Sequence, residues 1–119
     1  MRRLVDEGQT VRAVDRKTPH QWYQVHSEAD NWFECDLSVP ESAMRSTTDV
    51  SDAYNLAADM GGMGFIENNK AACMLSVLTS THVLVAARDA GVDRFFYSSS
   101  ACVYNEDKQV NEDVIPLKE

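Results

Sequence analysis

Residues 54 to 97 carry the pattern that most restricts how this chain can fold. A short, mostly apolar run, Tyr54-Asn55-Leu56-Ala57-Ala58, is followed by a stretch without charge from Ala71 to Ala87 and then by Arg94-Phe95-Phe96-Tyr97. The two short runs are continuous rather than alternating, as in strands covered on both faces. The stretch between them has the length of a helix, predicted over residues 68 to 90 with Gly91 as its C-terminal cap. Its Met74, Leu75, Leu78, Val85 and Ala86 recur at helical spacing, which suits a helix lying on a sheet. Strand, helix and strand at this spacing indicate an α/β protein with a parallel sheet covered by helices.

The upstream sequence fits the same class. Residues 2 to 7 read as a helix stopped at Gly8, and Thr10-Val11-Arg12-Ala13-Val14 as a strand ending at Asp15. A polar stretch from Arg16 to Asn31 leads to a second strand, Trp32-Phe33-Glu34-Cys35, ending at Asp36. Pro40 to Ser46 suits one or two helical turns, with proline at an acceptable early position. The tail from Asn105 to Glu119 is polar and reads as loop. The expectation is one domain over residues 1–119 with about four parallel strands.

Composition narrows the function. A net charge of -8, from 19 acidic against 11 basic residues, argues against a nucleic-acid surface. Cys35, Cys73 and Cys102 form no C-x-x-C pair, and His20, His26 and His82 share no metal-ligand spacing. A reducing cytoplasm is the expected setting, with Cys35 and Cys73 as core filler. The start, Met1-Arg2-Arg3-Leu4-Val5, lacks the apolar segment of a signal peptide. The run Ala71–Ala87 contains Ser76, Thr79, Ser80, Thr81 and His82 and falls short of the roughly 20 apolar residues of a membrane span, so it is expected to be a buried helix.

In parallel sheets of this kind ligands bind beyond the carboxyl ends of the strands. The four predicted strands end in residues with ligand chemistry: Asp15, Asp36, a cluster of Gly61, Gly62 and Gly64, and Ser98-Ser99-Ser100-Ala101-Cys102. An aspartate at such an end can accept hydrogen bonds from a ribose diol, or be a surface turn residue. The glycines, three of five in the chain, can expose backbone N–H groups to a ligand or provide a plain turn. The serine run offers hydroxyls and a thiol to orient a substrate and move a proton, or begins a polar loop with a small buried cysteine.

Asn55-Leu56-Ala57-Ala58-Asp59-Met60-Gly61-Gly62-Met63-Gly64-Phe65 and the segment from Val85 through Ser98-Ser99-Ser100-Ala101-Cys102-Val103-Tyr104 resemble the extended short-chain dehydrogenase/reductase family of NAD-dependent epimerases and dehydratases. The resemblance runs over nearly the whole chain and is strongest from Asn55 to Tyr104. It implies a partial Rossmann-type, doubly wound parallel sheet with NAD as cofactor and a GDP-mannose-like nucleotide sugar as substrate. By the same resemblance Asp15 would bind the adenosine ribose, Asp36 would lie by the adenine, and Leu56, Ala57 and Ala58 would pass the cofactor. Gly61, Ser100, Ala101 and Cys102 would contact the nucleotide sugar, Ser100 working beside a catalytic tyrosine and Cys102 exchanging protons at sugar stereocentres.

Three departures from the family pattern shape the expectation. The chain starts after the position of the family's first strand and glycine-rich turn, and it ends before that of the Tyr-x-x-x-Lys pair. Only Tyr104 and Lys108 match that pair's bare spacing, and they fall on a predicted loop. Leu75-Ser76 stands where the family usually carries asparagine. The reading is therefore a fragment of a sugar-nucleotide epimerase, inactive alone; a nucleotide-binding module without chemistry and a self-associating interaction protein are the alternatives. The family's first strand lies between the strands ending at Asp15 and near Ala58, so these two are expected either to pair directly or to flank a gap filled by another chain, giving a homo-oligomer through unpaired edges.

Overall fold

The computed structural model of the chain describes residues 1–23, 31–59 and 63–99. A short helix α1 (Arg2–Asp6) leads to strand β1 (Arg12–Asp15), and after a turn of 3-10 helix at Pro19–Gln21 the chain enters β2 (Asn31–Glu34). Helix α2 (Pro40–Thr47) connects to β3 (Asp52–Asn55), and α3 (Met63–Asn68) and the long α4 (Lys70–Asp89) return the chain to β4 (Arg94–Tyr97).

Strands β1 and β2 pair in parallel with Arg12 opposite Asn31 and Asp15 opposite Glu34; β3 and β4 pair in parallel with Asp52 opposite Arg94 and Asn55 opposite Tyr97. The α/β class with four parallel strands is therefore present, as a partial Rossmann-like arrangement. The strands form two two-stranded sheets, however, and among the described residues β1 and β3 do not pair. Of the two expected arrangements direct pairing is absent: each strand uses one edge and, among the described residues, leaves the other without a ladder partner.

Side chains connect the sheets instead. Arg12, at the start of β1, donates from Nη1 to the carbonyls of Ser46 at 3.1 Å and Thr48 at 2.6 Å, on the segment that leads into β3. Its guanidinium also lies 5.5 Å from the Phe33 ring. Beyond the carboxyl end of β1, Arg16 pairs with Asp59 beyond the carboxyl end of β3. The two sheets thus point the same way, with their carboxyl ends together.

Glycine closes two helices for the same reason. Gly8 and Gly91 have φ of +81° and +73°, and each is followed by the paired bonds of a Schellman ending: Gly8 N to Val5 O with Gln9 N to Leu4 O, and Gly91 N to Arg88 O with Val92 N to Ala87 O. Pro40 opens α2 where its missing N–H costs nothing. Gly64 falls inside α3 rather than in a loop, with open space where a Cβ would stand.

The core sits between α2, α4 and the β3–β4 sheet. Ala43, wholly buried, meets Val83 and Ala86, with Leu37 and Phe95 packed against them. Small residues at this crossing let the two helices approach closely. The buried face of α4 is Val83, Ala86 and Ala87, whereas Met74, Leu75, Leu78 and Val85 are exposed, against the expectation that they face the sheet. Val77 and Leu84 are exposed too, so α4 is apolar around most of its girth. By length and composition α4 could cross a bilayer, yet it packs here by one face on α2 and β3, and it is not the buried helix expected. Cys35 and Cys73 are free and half-buried.

This assignment of faces has a direct check. Ala43→Leu should lower the unfolding free energy by about 1–3 kcal/mol in urea titrations, because the crossing has no room for the added carbons. Met74→Gln, on the exposed face, should change it by no more than about 0.5 kcal/mol.

Candidate functional site

The residues at the carboxyl ends of the strands are held by turns that their own side chains build. Asp15 Oδ1 accepts the Lys17 amide at 2.9 Å, and Asp36 Oδ1 accepts the Ser38 amide at 2.8 Å. Both aspartates thereby fold the chain away from the strand, keeping the carboxylates at the sheet's end. After Asp15 the chain is braced further: the Gln21 side chain accepts the Thr18 amide, and the Trp22 indole donates to the Lys17 carbonyl and packs edge-on against Trp32 at 6.1 Å.

At the end of β3, Asn55 is nearly wholly buried at 5% exposure. Its Oδ1 accepts the Ala57 amide at 3.2 Å, and its carbonyl accepts the Ser98 amide at 3.3 Å. The strand ends at Asn55, so Leu56, Ala57 and Ala58 form the exit loop rather than the strand's last residues as predicted. Among the described residues the Asn55 Nδ2 is buried with no hydrogen-bond partner. A buried donor left unsatisfied is costly.

The next residue of that loop, Asp59, is anchored to α4. Its amide donates to Ser76 Oγ at 2.7 Å, and the Ser76 hydroxyl lies 3.5 Å from the Asp59 carbonyl. Ser76, standing where the resemblance leads one to expect asparagine, thus ties the exit of β3 to the helix. The Asp59 carboxylate reaches Arg16 Nη2 at 3.3 Å. Arg16 also acts on Asp36. Hydrogen bonds from Ser38, from its hydroxyl and then its amide, hold the Asp36 carboxyl below its ordinary range, with slight burial opposing and the Arg16 charge adding to the effect. Arg16 therefore stands among carboxylates from three strand exits: Asp15 beside it in sequence, Asp36 and Asp59.

Of the residues singled out in the sequence, Asp15, Asp36, Leu56, Ala57 and Ala58 lie at the shared carboxyl end; Gly61, Ser100, Ala101 and Cys102 lie outside the described residues, as does the tail. Arg16, Asn55, Asp59 and Ser76 were not singled out as site residues. Arg16 was legible as the cation directly after the strand-ending aspartate, and Ser76 as a hydroxyl within an apolar run. Near β2, burial pushes the Cys35 thiol up, with the Arg45 charge opposing, so this thiol is protonated at neutral pH. Among the described residues no group of three His, Cys, Asp or Glu could hold a metal ion.

The Asp36 carboxyl should titrate below the ordinary aspartate range when followed by carboxyl-carbon NMR, and Ser38→Ala should move its midpoint upward. Its folded value is depressed relative to the unfolded chain. The stability it contributes is accordingly present above the ordinary carboxylate range and is lost as pH falls through the folded value.

Comparison of the sequence with known proteins identifies the family. The chain is 42% identical over 120 residues to the GDP-mannose 3,5-epimerase of Arabidopsis thaliana, covering 99% of this chain and 31% of the relative. Identity and coverage are the same for GDP-mannose 3,5-epimerase 1 of Oryza sativa, in both subspecies indica and japonica. The chain thus spans about a third of the length of these curated relatives. A model of the NAD dependent epimerase/dehydratase family matches residues 1–119, and the chain belongs to that family.

Proposed function

We propose that this chain is the nucleotide-binding portion of an NAD-dependent epimerase acting on a GDP-mannose-like nucleotide sugar. The observation that carries the reading is the placement of Asp15, Asp36 and Asp59 at the carboxyl ends of parallel strands, with Arg16 paired to Asp59 and its charge reaching Asp36. That end is where an α/β sheet receives a dinucleotide. Asp15 would accept the hydroxyls of the adenosine ribose, Asp36 would stand by the adenine, and Leu56, Ala57 and Ala58 would pass along the cofactor. The Asn55 amide, unpartnered among the described residues, supplies a donor at the same exit, which fits a bound group with acceptor oxygens.

When bound, NAD supplies the hydride acceptor. In this reading Gly61, Ser100, Ala101 and Cys102 contact the nucleotide sugar, with Ser100 and Cys102 in the chemistry. A ketone in the sugar acidifies its neighbouring C–H bonds, and a thiol such as that of Cys102 is suited to exchange those protons because its pKa responds to its surroundings. The chain alone binds without turning over. Its setting is the cytoplasm, in keeping with the free thiols of Cys35 and Cys73.

A second reading, self-association, has its own observation: two separate two-stranded sheets leave outer strand edges with unspent backbone groups. On that reading the partner is another copy of the chain rather than nucleic acid or membrane.

Calorimetric titration of NAD into the 119-residue chain, with oligomeric state recorded on the same sample, tests both. Saturable binding at micromolar concentration is expected, weakened about tenfold or more in Asp15→Ala through lost hydrogen bonds to a charged group. A folded sample that releases no heat rejects the nucleotide reading; a strictly monomeric one rejects self-association.

A further inference from the structure

Asp15 and Arg16 are adjacent at the exit of β1, and they favour opposite ligands. An acidic side chain there accepts a ribose 2′-hydroxyl, whereas a nearby arginine accommodates a 2′-phosphate. The sequence alone leaves the choice open. In the structure the Arg16 guanidinium is engaged elsewhere, 3.3 Å from Asp59 on the exit of β3. The two partners are not equally free to move: the Asp59 backbone is tied to Ser76 of α4, while the Arg16 side chain is 65% exposed. Asp59 is therefore the fixed end of the pair.

We propose that Asp59 sets selectivity for a dinucleotide lacking a 2′-phosphate by holding Arg16 away from the ribose subsite beside Asp15; this rests on the nucleotide reading above. A 2′-phosphate would meet the Asp15 carboxylate, and Arg16, if withdrawn from Asp59, could neutralise it. A 2′-hydroxyl asks for neither. Both partners are exposed, so the hold is weak and the selectivity it adds is modest, on the order of two- to fivefold.

The test is the ratio of NADP to NAD dissociation constants, measured by calorimetry on the full chain for the unaltered protein, Asp59→Asn, Arg16→Gln and the double variant. Circular dichroism checks that each is folded, and Asp59→Ser replaces Asp59→Asn should that variant fail. The unaltered chain should favour NAD, and Asp59→Asn should shift the ratio about two- to fivefold toward NADP. In the Arg16→Gln background the same substitution should shift nothing. A ratio unchanged by Asp59→Asn, in a chain that binds NAD, overturns the proposal and leaves the nucleotide reading standing. So does a shift that persists without Arg16, since it would report general charge alone. Failure of the folded, unaltered chain to bind either dinucleotide overturns the nucleotide reading, and the proposal with it.

Discussion

From the first residue of β1, the Arg12 guanidinium donates to the carbonyls of Ser46 and Thr48, groups that the end of α2 leaves without helical partners. Because no ladder joins β1 to β3 among the described residues, this contact and the small apolar crossing of α2 with α4 carry the registration between the two strand pairs. Hydrogen bonds from a charged donor contribute more than neutral ones, and Phe33 covers one side of the guanidinium. The core offers little in reserve: among the described residues none of the buried apolar ones is larger than valine.

That registration brings the strand exits together, and there electrostatics takes over from packing. A chain with net charge -8 places acidic groups at three strand exits, where Arg16 pairs with Asp59 and its charge acts on Asp36. The pairing of Asp59 with Arg16 joins the exit of β3 to that of β1, while Ser76 fixes where Asp59 begins. An exposed ion pair adds little to stability, so under the proposal above its consequence falls on which dinucleotide is preferred. The separate pair of Asp52 with Arg94, at the opposite end of the β3–β4 sheet, takes no part in this; there Arg94 holds the Asp52 carboxyl below its ordinary range.

Elements bounded by strong local chemistry were legible in advance. Strand β4 has the predicted bounds, and Gly91 ends α4 because only glycine enters the required positive φ without steric cost. Elements governed by tertiary choice were not. The predicted strand at 54 to 58 became Asp52–Asn55, since the ladder to β4 and the Asn55 side-chain turn end it early. The buried face of α4 was misassigned because a helix apolar on nearly every side carries no phase in its periodicity. The helix predicted over residues 68 to 90 is α4, whereas α3 precedes it where a glycine loop was expected, so Gly64 entered a helix although glycine ordinarily signals a turn.

The sequence by itself determined the class, the direction and number of the strands, the aspartates at their exits and the family to which they belong. Each follows from local rules: continuous apolar runs, helix-terminating glycines, and side chains that fold their own turns. Only the tertiary structure decided that the strands divide into two pairs, that Val83, Ala86 and Ala87 rather than Met74 and Leu75 face inward, and that Arg16 reaches Asp59 instead of remaining beside Asp15. These depend on which surfaces compete successfully for burial and which charges come within reach, and contacts between residues 43 positions apart have no local signature.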